Sequence, residues 1–92
     1  MSKYIILPYS YKKAKELGVD IKVSTNSKKK IDVFKDGKKI CSIGAAGYND
    51  YPHYLKVDKE LAQEHRALYK IRHHKDRIHA GSPGWYADKI LW

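Results

Sequence analysis

Arg66, Lys70, Arg72, Lys75 and Arg77 put five cations into a twelve-residue stretch whose only acid is Asp76, with His73 and His74 between them. Clustered cations are suited to neutralising phosphates, and the counterions they release from a polyanion make the contact favourable and salt-dependent. Lys28, Lys29 and Lys30 form a second basic run that extends the patch. Over the whole chain, 19 Lys and Arg against 10 Asp and Glu leave a net charge of +9, which attracts anionic partners over long range. Three of those 19 cations are Arg and the rest are Lys. Lysine is a point charge, not a fork that reads base edges, so the expected partner is nucleic acid bound without sequence specificity. An acidic protein surface is the alternative. Ser82 opens a helix whose first N–H groups have no partner within it, and Arg72 and Arg77 could converge there on a phosphate or sulfate. Plain capping by Ser82 is the competing reading.

Other chemistries fit the residues less well. His74 to His79, with Asp76 between, is the nearest approach to a metal cluster. Its spacing is unlike the i, i+4 pair of a zinc helix, and His73 and His74 point in different directions on one helix. No metal and no cofactor are expected. Cys41 lies within a strand-like run, where a cysteine is more often a small core residue than a nucleophile. A nuclease built from Asp76 and the histidines is the most specific enzyme reading, but no nucleophile with its base and no carboxylate pair is apparent, so the chain is expected not to be an enzyme. A single cysteine cannot form an internal disulfide, which suits a reducing compartment. The apolar run Tyr4-Ile5-Ile6-Leu7 is too short for a signal-peptide core or a membrane span. A soluble, intracellular protein with no membrane partner is expected.

These residues need a scaffold, and 92 residues suit one domain spanning 1–92. Lys3 to Leu7 reads as a strand ended by Pro8. A short helix follows with Ser10 as N-cap, Tyr11, Ala14 and Leu17 on one face, and Gly18 just past its end. Ile21 and Val23 alternate with polar residues as a second strand, and Thr25-Asn26-Ser27 is a turn. Asp36-Gly37 between two β-prone runs is the signature of a two-residue type I′ hairpin, which would pair Val33 with Ile40 and Ile31 with Ser42. A bulge would shift those pairs. Lys28 to Lys30 would then start a strand at an edge, where lysines also deter aggregation.

Gly44 to Pro52 reads as a loop, with Tyr48 and Tyr51 more readily hydrophobic clasps than a stacking platform. Asp58 caps a main helix running to His79, whose core-facing stripe is Leu61, Leu68 and Ile71 with Ala67 and His65. Gly81 stops it, and Ser82-Pro83 restarts a short terminal helix. Trp85, Tyr86, Ile90, Leu91 and Trp92 would pack on the sheet or main helix, or on a partner protein. The expected class is α+β: a small, mostly antiparallel sheet with the Asp36-Gly37 hairpin, packed by one main helix and a short C-terminal helix.

Four stretches, K-K-I-D-V-F-K-D-G-K-K-I (Lys29 to Ile40), Y-x-D-Y-P-x-Y (Tyr48 to Tyr54), H-R-x-x-Y-K-x-R-H-x-K-D-R (His65 to Arg77) and G-S-P-G-W-Y-A-D-K-I-L-W (Gly81 to Trp92), together resemble a family of small uncharacterised basic proteins of large DNA viruses of algae and protists and of some tailed phages. The ending is the most specific piece, and residues 1–19 lie outside the match. The resemblance implies a viral origin and a non-enzymatic role in the virion, and supplies no catalytic residue or cofactor. Two functions follow as expectations: a virion-associated binder of nucleic acid, DNA before RNA, or a minor capsid (cement) protein whose basic face meets acidic capsid protein. Either would reside in the virion or in the cytoplasm or viral factory of the infected cell, and would not be secreted.

Overall fold

The hairpin turn sets the sheet. In the computed structural model, which describes residues 4–92 apart from the side chain of Asp76, Asp36 and Gly37 both have positive φ (52° and 80°), the geometry of a type I′ turn. The turn joins β2 (Lys29–Lys35) to β3 (Lys38–Ala45), and β1 (Asp20–Val23) pairs with the other edge of β2, giving an antiparallel sheet in the order β1-β2-β3. Lys28 to Lys30 therefore lead into the central strand and not an edge.

Register departs from the simplest hairpin. Lys35 faces Lys38 and Phe34 faces Lys39, but Val33 faces Cys41, so Ile40 is an extra residue and is exposed. The pairs Val33–Ile40 and Ile31–Ser42 give way to Val33–Cys41 and Ile31–Ile43. Burial explains the shift: the bulge brings Ile43 beside Ile31 on the apolar face and leaves Ser42 opposite Asp32 on the other.

The N-terminal segment is not a strand. Residues 4–7 have no regular structure, and Lys3 lies outside the described residues. Pro8 starts a helix instead of ending a strand, because its fixed φ and missing N–H suit a first helical position. Helix α1 (Pro8–Leu17) has Leu7 as N-cap and ends on Gly18 at φ 74°, as expected. Ser10 is thus inside α1, buried, and its hydroxyl donates to the Ile90 carbonyl at 3.0 Å. Ala14 and Leu17 face the core while Tyr11 is exposed.

Four helices follow the sheet: α2 (Tyr51–Leu55), α3 (Lys59–Arg72), α4 (His74–Arg77) and α5 (Pro83–Leu91). The stretch read as a loop to Pro52 ends earlier, because Asp50 caps α2 by accepting from the His53 N–H, and Pro52 lies in its first turn. Asp58 caps α3 as expected, accepting from the Glu60 N–H at 2.9 Å. The main helix breaks at His73 (φ −108°, ψ 24°), so α3 and α4 share the span expected of one helix.

The layer directly on the sheet is α5 with α1: Tyr86, Ala87, Ile90 and Leu91 meet Ile21, Ile31, Val33 and Ile43, and Ile6, Ala14 and Val19 close the side. Helix α3 packs on α2 and reaches this core through Tyr69, whose ring stacks on Trp92 at 4.5 Å. Its buried positions are Ala62 and Tyr69, while Leu68 and Ile71 are 53% and 74% exposed. Leu61 and His65 of the expected stripe are half-buried whereas Ala67, Leu68 and Ile71 are exposed, so the inward face is rotated about the helix axis from the one expected. The inward face of α3 carries the small Ala62 together with the stacked ring of Tyr69.

Candidate nucleic-acid interface

Between the far end of the β2–β3 ladder, the loop after it, α3–α4 and the start of α5 lies a cleft of about 900 Å³. Its floor includes Ile43, Gly44, Ala87 and Leu91. Lys29, Arg72 and Lys75, all exposed, project into its lining along with His65, His73 and His79. Among the described residues that line it, none is Asp or Glu. Cations above an apolar floor concentrate anions, because their field lines focus in a concavity with low-dielectric walls.

One wall is a series of rings. His65, Tyr69 and His73 recur every four residues along α3 and so share a face. Tyr69 stacks on His73 at 4.4 Å and on Trp92 at 4.5 Å, the latter within 8° of parallel. Tyr54 of α2 stacks on His65 at 4.0 Å and 4°, and meets Trp92 at 6.5 Å. The i, i+4, i+8 spacing of His65, Tyr69 and His73 was the available sequence signal for this wall, masked by the more obvious aliphatic residues Leu61, Leu68 and Ile71.

The cations expected to form one face separate into two groups. Arg72, Lys75 and Lys29 line the cleft, as does Ser82. Arg66, Lys70 and Arg77 are drawn into the fold. The Arg66 guanidinium lies 4.3 Å over the Tyr51 ring and donates through Nε to the Trp92 carbonyl. Lys70 is 2.6 Å from Asp88, and Arg77 donates through Nε to the Lys70 carbonyl at 3.1 Å. Arg77 is not among the residues lining the cleft, so of the two arginines expected around the α5 N-terminus Arg72 is the one that shares the cleft with Ser82. Ser82 itself caps α5, accepting from the Trp85 N–H at 3.2 Å and donating to the His79 carbonyl at 2.7 Å.

No family model, curated protein or solved structure matches the chain.

Lys28 is exposed and outside the cleft lining, whereas Lys30, though lining it, is 3% exposed. Its ammonium is 3.1 Å from Asp50, which is wholly buried. Burial pulls the Lys30 pKa down and Asp50 partly restores it. Burial alone would raise the Asp50 carboxyl, but the Tyr4 hydroxyl, Lys30 and His53 outweigh it and hold the carboxyl below its usual range. The charge of Lys30 is spent inside the protein.

Cys41 is half-buried in β3, where burial and then the charge of Asp32 push its thiol up, which disfavours the thiolate nucleophile. Among the described residues, no group of three or more His, Cys, Asp or Glu is placed to hold a metal ion, and no helix is long and apolar enough to cross a membrane.

Proposed function

We propose that this chain is a non-enzymatic, virion-associated protein that binds nucleic acid, DNA before RNA, without sequence specificity, and that the cleft is where it does so. The observation that carries the reading is the cleft's lining: Lys29, Arg72 and Lys75 with no acid among the described lining residues, in a chain of net charge +9. The viral and virion parts rest on the sequence resemblance. Lysines and a single arginine favour phosphates over base edges, which supports binding that ignores sequence.

Fluorescence-anisotropy titration of labelled DNA across a salt series tests this. Three phosphate contacts give a slope of log affinity against log salt of about −2 to −3. Arg72→Ala and Lys75→Ala each make it shallower by about 1, while Lys38→Ala, at the hairpin tip, leaves it unchanged. Absence of binding at low salt would sink the reading, and metal-dependent cleavage of the DNA would overturn its non-enzymatic part.

A second reading, a minor capsid protein joining capsid subunits without nucleic-acid contact, draws on a different surface. Leu68 and Ile71, three residues apart on one side of α3, and Ile78 at the end of α4 are all more than half exposed, and exposed apolar side chains are what protein partners cover. Locating the protein in purified particles, with the genome or in the shell, separates the two.

A further inference from the structure

Tyr48 and Tyr51 belong to one short segment and have opposite fates. Tyr51 is buried, its ring 5.4 Å from that of Tyr9 and under the Arg66 guanidinium. Tyr48 is 75% exposed on the rim of the cationic cleft and has no ring partner among the described residues. Its loop is held at both ends: the Ala46 N–H donates to the Lys28 carbonyl at 3.0 Å, and Asp50 is locked into the buried cluster with Tyr4 and Lys30. A tyrosine ring in water gains nothing from folding, and here a tethered loop presents it on the cleft that Arg72, Lys75 and Lys29 also line. Tyr54, His65, Tyr69, His73 and Trp92 stack or pack on one another, whereas Tyr48 stands apart from that series with most of its surface exposed.

We infer that the cleft takes unpaired nucleotides, with a base stacked on Tyr48 and the flanking phosphates held by Arg72, Lys75 and Lys29. The inference rests on the nucleic-acid reading above and narrows it. A duplex keeps its bases stacked inside and offers a concave site only its phosphates, whereas a single strand offers a flat π-face and a phosphate from the same nucleotide. Stacking on an aromatic ring is available to every base, so the contact adds affinity without adding sequence preference.

The test is equilibrium binding of oligothymidylate, a duplex of equal length and inorganic polyphosphate, to the full chain and to Tyr48→Ala and Tyr48→Phe. The expected result is tighter binding of the single strand than of the duplex. Tyr48→Ala should weaken the single strand about 5- to 100-fold, the effect of one lost base–ring stack. It should leave the salt slope and polyphosphate affinity unchanged, and Tyr48→Phe should retain wild-type binding. Equal binding of single strand and duplex, or a Tyr48→Ala variant that binds oligothymidylate as well as wild type, overturns the inference while the nucleic-acid reading survives. Failure of both nucleic acids to bind at low salt removes both. Tyr48 is exposed, so circular dichroism of the variants should match wild type and exclude misfolding as the cause of a loss.

Discussion

The Lys30 ammonium lies 3.1 Å from Oδ2 of Asp50, and neither side chain reaches solvent to any extent. The same oxygen accepts from the Tyr4 hydroxyl at 2.6 Å, while Oδ1 accepts from the His53 N–H and lies 2.6 Å from its ring nitrogen. One carboxylate therefore joins the N-terminal segment, the central strand and the first turn of α2. Because Asp50 is two residues from Tyr48, the cluster also fixes the rim of the cleft.

Removing one partner of a buried, hydrogen-bonded pair leaves the other charge stranded in a poorly solvated place. Asp50→Ala is expected to destabilise the protein by about 3–5 kcal/mol. Urea unfolding followed by tryptophan fluorescence measures this, and a loss below about 1 kcal/mol would show that the cluster is solvated in solution.

Acid should unfold the protein partly through Asp32. Burial alone would raise this carboxyl, but the Ser24 and Ser42 hydroxyls, each at 2.6 Å, with the Thr25 N–H and Lys39, bring it down from 3.8 to about 2. A carboxyl whose folded pKa lies below its unfolded one stabilises the fold above the unfolded value, and that contribution fades as pH falls through the folded value. Asp50 shifts in the same direction. Urea midpoints should thus fall between about pH 4 and pH 2, and Asp32→Asn should flatten part of that fall. An unchanged acid limb in the variant would contradict the assignment.

Gly44 is held by geometry as well as by conformation. Its φ is 78°, and a Cβ there would lie 2.8 Å from Leu91 Cδ1 and 2.9 Å from the Lys30 side chain. Gly44→Ala should cost about 2–4 kcal/mol, the sum of overpacking and left-handed strain. Gly37, at φ 80° with open space around it, should lose only about 1–2 kcal/mol on the same change. Thermal melts of the two variants side by side give the comparison, and equal losses would mean that the contact with Leu91 relaxes freely.

What the sequence disclosed depends on how local the signal is. Asp36-Gly37, Gly18, Asp58 and Ser82 each act within a few residues, and the turn, the helix end and the two caps lie where those residue types demand. Pro8 is ambiguous because the same fixed φ can end a strand or begin a helix, and the burial of Ile6 in the core and the bond from Ser10 to Ile90 of α5 are distant in sequence. The face of α3 was misread because aliphatic spacing at Leu68 and Ile71 competes with ring spacing at His65, Tyr69 and His73, and the rings have partners on α2 and at Trp92 that lie far away in the sequence. For the cations, spacing located the cluster but not the acids that neutralise part of it: Asp50 is 20 residues from Lys30 and Asp88 is 18 from Lys70.

Arg66 and Arg72 are both arginines of α3, and they should respond to alanine in opposite ways. Arg66 donates to the Trp92 carbonyl and lies over the Tyr51 ring, so it ties α3 to α2 and to the end of α5. Arg66→Ala is expected to lower stability by about 1.5–3 kcal/mol, the range for a hydrogen bond from a charged donor, and to leave the salt dependence of DNA binding unchanged. Arg72 is exposed and lines the cleft, so Arg72→Ala should alter stability by less than about 0.5 kcal/mol and reduce the salt slope by about 1. Urea unfolding and a salt-titrated binding curve on both variants decide the matter. Should Arg66→Ala reduce the slope as much as Arg72→Ala, the guanidinium would have to leave Trp92 to meet phosphate, and the cationic surface would extend beyond the cleft.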